Sequence, residues 1–95
     1  MSTTLHHRAC HLCEAICGLT IQTEADAAGQ VQIVSIKGDA EDSFSRGHIC
    51  PKAVALQDIQ SDPDRLRQPM RRIGSEWQAL GWDVAFNLVA ERLAD

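Results

Sequence analysis

Cys10-His11-Leu12-Cys13-Glu14-Ala15-Ile16-Cys17 places three thiols in one short loop, and Cys50 follows 33 positions later in Cys50-Pro51-Lys52. The spacing is C-x2-C-x3-C-x32-C, and it uses every cysteine of the 95-residue chain. Four thiolates complete the iron coordination of a [4Fe–4S] cube. A compact loop can wrap three corners while a distant cysteine caps the last. Proline after the final cysteine also occurs in bacterial ferredoxin motifs. It removes an N–H near the sulfur and adds an apolar shield. The spacing therefore predicts that Cys10, Cys13, Cys17 and Cys50 ligate one metal centre, most readily a [4Fe–4S] cluster.

Two other chemistries stay open on spacing alone. Four cysteines can hold a structural zinc, although most such sites use two C-x2-C pairs and here the second half is a lone Cys50. Cys10 and Cys13 could also form a redox-active C-x-x-C, but the βαβ setting of such proteins is missing. His11 and His48 lie close to ligand positions and read as solvent-facing spacers, because four cysteines already fill the shell. His6 and His7 read as a solvated pair pointing in different directions.

Composition narrows the function. A chain this short makes one small domain at most, with a modest core that a metal centre would help to hold. The formal net charge of −4 argues against a nucleic-acid partner. Residues 1–64 carry nine acids against four bases, whereas residues 65–95 carry four against five. Arg65, Arg67, Arg71 and Arg72 supply the difference and read as a solvated basic strand. No run of about 18 apolar residues is present, so no membrane span is expected. The start has neither an apolar secretory core nor a twin-arginine pair, so a cytoplasmic location is expected. Cysteines there are kept reduced, which favours metal over disulfides.

Around the cysteine loop, the chain reads as a small α+β domain: a β-hairpin beside the loop, further short strands and two helices. Residues 1–9 form an arm or first strand. Gly18 follows the loop with backbone freedom that suits a tight fold around a cluster. Leu19 to Glu24 alternates apolar and polar as a half-buried strand, Asp26 to Gly29 is a turn, and Gln30 to Lys37 is the partner strand. Its alternation slips between Ile33 and Val34, so a bulge or a strand covered on both faces is expected. Gly38 to Gly47 is a solvated connector long enough to return to the first cysteines; its acids do not have EF-hand spacing. Gly47 is expected to make the turn that aims Cys50. Pro51 opens a helix over 52–60, with Ala55, Leu56 and Ile59 inward. Residues 66–73 and 76–80 are extended pieces joined by Gly74-Ser75. Trp82, Ala85, Phe86, Val89 and Leu93 make the apolar stripe of a last helix, and so strong a stripe with little chain to cover it suggests a segment of a longer protein.

Taken in order, several stretches resemble one family. They are the cysteine loop with Gly18-Leu19, Gly38-Asp39, Arg46-Gly47-His48-Ile49-Cys50-Pro51-Lys52, Asp64-Arg65-Leu66-Arg67-Gln68-Pro69-Met70-Arg71-Arg72 and Gly81-Trp82-Asp83-Val84-Ala85. The ordered set, over about residues 8–95, resembles the N-terminal [4Fe–4S] domain of molybdopterin oxidoreductases, the family of formate dehydrogenases and nitrate reductases. The resemblance implies that the four cysteines ligate the cluster. It also implies that Lys52 lies between the cluster and a pterin and helps electrons pass. Ala53 stands where the family usually has glycine. Molybdopterin guanine dinucleotide, with Mo or W, would belong to later domains of the full-length protein. Residues 1–95 would then be the N-terminal iron–sulfur segment of an oxidoreductase, not a complete enzyme, with the remaining domains and an unknown redox protein or cofactor as partners. It would pass electrons between the molybdopterin centre and an external donor or acceptor. The rival is a zinc-stabilised structural or protein-binding module without redox activity.

Overall fold

Leu19 and Ile21 point to one side of their strand, as their alternation requires, and strands on both flanks place matching residues beside them. The computed structural model describes residues 2–94. Strand β1 (Ser2–Ala9) pairs antiparallel with β2 (Gly18–Ala25), and β2 with β3 (Val31–Gly38), giving a sheet of order β1-β2-β3. His6, Ile21 and Ile36 stand in one cross-strand row, and Arg8, Leu19 and Gly38 in the next. The rows share a face because side chains two apart on a strand point the same way. Leu19 is 1% exposed and Ile36 is buried; Ile21 and Ile33 pack against them. Burying a leucine fully stabilises by about 1.5–3 kcal/mol. The opposite face carries Thr20, Gln22, Ser35 and Lys37, with Leu5 exposed among them.

The expected bulge is present. Gln22 pairs with Ser35 but Thr23 pairs with Ile33, so Val34 is the extra residue. The β2–β3 turn is held by Asp26, whose carboxylate accepts the N–H groups of Ala28 and Gln30, each at 2.9 Å. This is the self-capping that favours aspartate in turns.

After Cys50 the helix is shorter and differently faced than its periodicity predicts. Helix α1 (Pro51–Val54) and helix α2 (Leu56–Ser61) are separated at Ala55. Ala53 is buried and Leu56 half-buried, whereas Ala55 and Ile59 are exposed. The break re-phases the apolar positions, so a residue with the smallest apolar side chain becomes the contact with β3. Ala53 joins Cys10, Leu19 and Ile36 in the core, with Cys17, Ile49 and Leu56 packed against it.

The chain divides into two compact units, Met1–Pro63 and Asp64–Asp95. In the second, β4 (Met70–Ile73) pairs antiparallel with β5 (Glu76–Ala79) across Gly74-Ser75. The hairpin is extended by Leu80 N–H donating to Pro69 O at 2.9 Å. Helix α3 (Trp82–Leu93) carries the expected stripe, with the Trp82 and Phe86 rings 5.8 Å apart. Trp82, Phe86, Val89 and Leu93 are exposed. Arg65, Arg67, Arg71 and Arg72 are exposed as well. Among the described residues no helix is long and apolar enough to cross a membrane. The architecture is a small α+β fold with the hairpin beside the cysteine loop, as the sequence predicts.

Candidate metal centre

All four cysteines are free thiols in the first unit. Cys10 follows β1 and Cys17 precedes β2, so the sheet brings the two ends of the loop together. Cys10 N–H donates to Cys17 O at 2.8 Å, one step beyond the Ala9–Gly18 pair. The loop turns back through Ile16, whose N–H approaches Cys13 O at 3.5 Å and whose φ is 50°. The left-handed residue is thus Ile16, not Gly18, where the sequence places the backbone freedom.

Gly18 serves by lacking a side chain. A Cβ there would meet the Asp42 side chain at 2.6 Å. The connector grips Gly18 on both sides: Asp39 N–H donates to Gly18 O at 2.9 Å, and Gly18 N–H donates to Ser45 Oγ at 2.9 Å. Ser45 Oγ in turn donates to Asp42 Oδ2 at 2.8 Å. Further along, Gly47 presses its carbonyl where a Cβ of Gly38 would be. Gly47 has φ 90°, a conformation suited to glycine. These contacts fold the arm 39–50 against the end of the sheet that bears Cys10 and Cys17.

Asp39 and Asp42 are half-buried and hydrogen-bonded, which corrects their reading as part of a solvated connector, whereas Glu41 is exposed as that reading expects. Asp42 Oδ2 also accepts Ser45 N–H at 2.7 Å and Phe44 N–H at 3.1 Å. The Ser45 N–H, then the Ser45 hydroxyl, then the Phe44 N–H hold the Asp42 carboxyl below its ordinary value, against a smaller opposing effect of burial. A depressed carboxylate contributes stability above its unfolded pKa and loses it as pH falls through the folded one. Amide hydrogen exchange at Gly18 and Ser45, referenced to exchange of the unfolded chain at each pH, should therefore lose protection as pH drops below about 4. Asp42→Asn should flatten that dependence; an unchanged profile in the variant would contradict the assignment.

Cys50 is the N-terminal flanking residue of α1, and Ala53 N–H donates to its carbonyl at 3.1 Å. The backbone N–H of Lys52 first, then that of Ala53, and then the Lys52 charge lower the thiol pKa of Cys50, against a partial penalty from burial. This favours the thiolate, the form that binds metal. Ala53 shares the core with Cys10 and Cys17 packs against that core, so the arm delivers Cys50 to the same neighbourhood. Cys10 is buried, Cys17 and Cys50 are half-buried and Cys13 is exposed. Lys52, His11 and His48 are exposed. His6 is not simply solvated: it is half-buried, and its Nε2 lies 3.0 Å from Thr23 Oγ1. His7 faces the other side, with Nδ1 3.3 Å from Asp39 Oδ2.

The donor chemistry fits an iron–sulfur group: four thiols, one with its thiolate favoured, gathered by a loop and one returning arm. Among the described residues no three His, Cys, Asp or Glu side chains converge tightly enough to grip a single ion.

Comparison with known proteins agrees. Residues 3–62 match the family described as Molybdopterin oxidoreductase Fe4S4 domain. The chain is 37% identical over 86 residues to the major subunit of the nitrate-inducible formate dehydrogenase of Escherichia coli, covering 86% of this chain and 8% of that protein. It is 33% identical over 90 residues to the formate dehydrogenase-O major subunit of the same organism, covering 90% of this chain and 9% of the relative. A third relative, 29% identical over 92 residues, is acetylene hydratase of Syntrophotalea acetylenica, with 92% of this chain and 12% of that protein aligned. The chain therefore spans about a tenth of the length of these relatives. The match over 3–62 falls within the structural unit that gathers all four cysteines. The chain belongs to the molybdopterin oxidoreductase Fe4S4-domain family.

Proposed function

We propose that Cys10, Cys13, Cys17 and Cys50 hold one [4Fe–4S] cluster, and that the chain is the N-terminal iron–sulfur segment of a longer cytoplasmic molybdopterin oxidoreductase. Its role is to pass electrons between the molybdopterin centre in the remaining domains and an external donor or acceptor. The observation that carries this reading is the match of residues 3–62 to an Fe4S4 domain, over the unit that contains all four cysteines. That match also disfavours the zinc-stabilised module. When bound, the cluster supplies reversible one-electron storage. The cysteines fix it to the end of the sheet, and burial, hydrogen bonds to sulfur and nearby charge set its potential. One relative is named a hydratase and others dehydrogenases or a reductase. The reaction of the parent protein is accordingly fixed outside these residues.

Lys52 is the residue of this chain best placed to serve the outgoing electron. It is exposed, two positions past Cys50, on a helix turn anchored by Ala53. A cation there offsets the negative charge of the reduced cluster and can hydrogen-bond onward to the pterin. In the full-length protein Lys52→Ala should leave iron content and visible spectrum unchanged. It should slow intramolecular electron transfer about tenfold, the equivalent of one charge-assisted hydrogen bond of ~1.5 kcal/mol. Rapid-mixing reduction followed at the cluster absorbance measures this, and an unaltered rate would remove the relay role.

A further inference from the structure

Ile16 holds a conformation that its side chain opposes. Its φ of 50° lies in the left-handed region, where a β-branched residue is a true outlier. The backbone has a reason to turn there: the reversal returns the chain so that Cys17 O can accept Cys10 N–H at 2.8 Å. Glycine would perform that turn without steric conflict. The side chain is not held in place by burial either, since Ile16 is 59% exposed. An apolar, strained, exposed residue is a poor choice for backbone geometry alone. Strain of this kind persists where the side chain has a separate use, and such outliers cluster at functional sites.

Its surroundings indicate the use. Ile16 lies between Cys13 and Cys17, and Leu12, 41% exposed, lies on the other side of Cys13. Cys13 is the one exposed cysteine of the four. The buried side of the site is already sealed by Leu19, Ile36 and Ala53. Within the loop, whose one buried residue is Cys10, the open corner thus has two exposed apolar residues near it in sequence. We propose that Ile16, assisted by Leu12, is the positioning residue that shields the Cys13 corner of the cluster from water and dioxygen. This rests on the cluster reading above. A four-thiolate cube gains negative charge on reduction, and water stabilises the more charged state, so shielding lowers the potential and unshielding raises it.

The test separates the backbone from the side chain. The whole chain and its Ile16→Gly, Ile16→Asn and Ile16→Leu variants are reconstituted anaerobically with iron and sulfide. Both glycine and asparagine accept the left-handed turn, so these variants should fold and load iron as fully as the wild type. On exposure to air, their brown absorbance should decay several-fold faster, and their midpoint potential should lie higher. Ile16→Leu, which keeps apolar bulk, should stay close to the wild type in both respects. Equal decay and potential in all four proteins would overturn the shielding role and leave the cluster reading standing. A wild-type chain that assembles no cluster would overturn both. Failure of the glycine variant alone to load would also overturn the inference, because the isoleucine side chain would then be needed for assembly and not for shielding.

Discussion

Cys50→Ala should cost the chain its four-iron cluster. Iron and sulfide content should fall well below four per chain, and the broad visible absorbance should be lost or change character. The reason is geometric. Cys10, Cys13 and Cys17 come from one loop closed by the Cys10–Cys17 hydrogen bond, and three corners are all that loop supplies. The fourth must come from the arm 39–50, whose last residue is Cys50. Alanine keeps the backbone of α1, because the hydrogen bond there uses the carbonyl of residue 50 and not its sulfur. Loss of the cluster would then report on the ligand, not on a collapsed helix. Cluster binding is also folding free energy, so after reconstitution the variant should melt well below the wild type, while the two metal-free chains melt alike. His48→Ala, two positions earlier and exposed, should change neither quantity. A Cys50→Ala protein with the wild-type iron content and spectrum would remove Cys50 from the ligand set.

Gly38→Ala should be the most destabilising change of a single methyl in the first unit. The added Cβ would fall on the carbonyl of Gly47, so backbone meets backbone and no side-chain rotation can relieve it. Gly47 is itself at φ 90°, which leaves little latitude to re-route the crossing. Overpacking in a well-fitted contact costs about 1–3 kcal/mol, and more where backbone must move. Chains of this size have roughly 5–14 kcal/mol in total. Urea unfolding of the metal-free chain should therefore show a loss of about 3 kcal/mol, with an unchanged slope. The crossing also carries the arm that presents Cys50, so reconstitution should be impaired beyond the stability loss. A variant within about 0.5 kcal/mol of wild type would mean that the two segments do not cross this closely.

Much of this design is written in local patterns. Leu19 and Ile21 announce β2 by alternation, and the slip at Ile33 and Val34 marks the bulge because each extra residue reverses the side-chain phase. The cysteine spacing, with the motifs around it, points to the family that the match over residues 3–62 shows. Strand β1 is less legible, since Ser2-Thr3-Thr4-Leu5-His6-His7 lacks apolar alternation; as an edge strand it needs only one partner, and only His6 is half-buried. Ala53 was hidden for a different reason. Its methyl gives little apolar signal, and the break at Ala55 shifts the face away from Ile59. The crossing of Gly38 and Gly47 has no local signature at all, because the two glycines meet only after the arm has folded back. Ile16 is the sharpest case: sequence reasoning assigns the tight turn to the nearby glycine, and the structure assigns it to a residue that resists it.

Anaerobic reconstitution of the whole chain with iron and sulfide, followed by metal analysis and a visible spectrum, addresses the central claim most directly. The account predicts about four irons and four sulfides per chain, with a broad brown absorbance that fades on reduction by dithionite. One zinc per chain with no chromophore, persisting after attempted reconstitution, would contradict it.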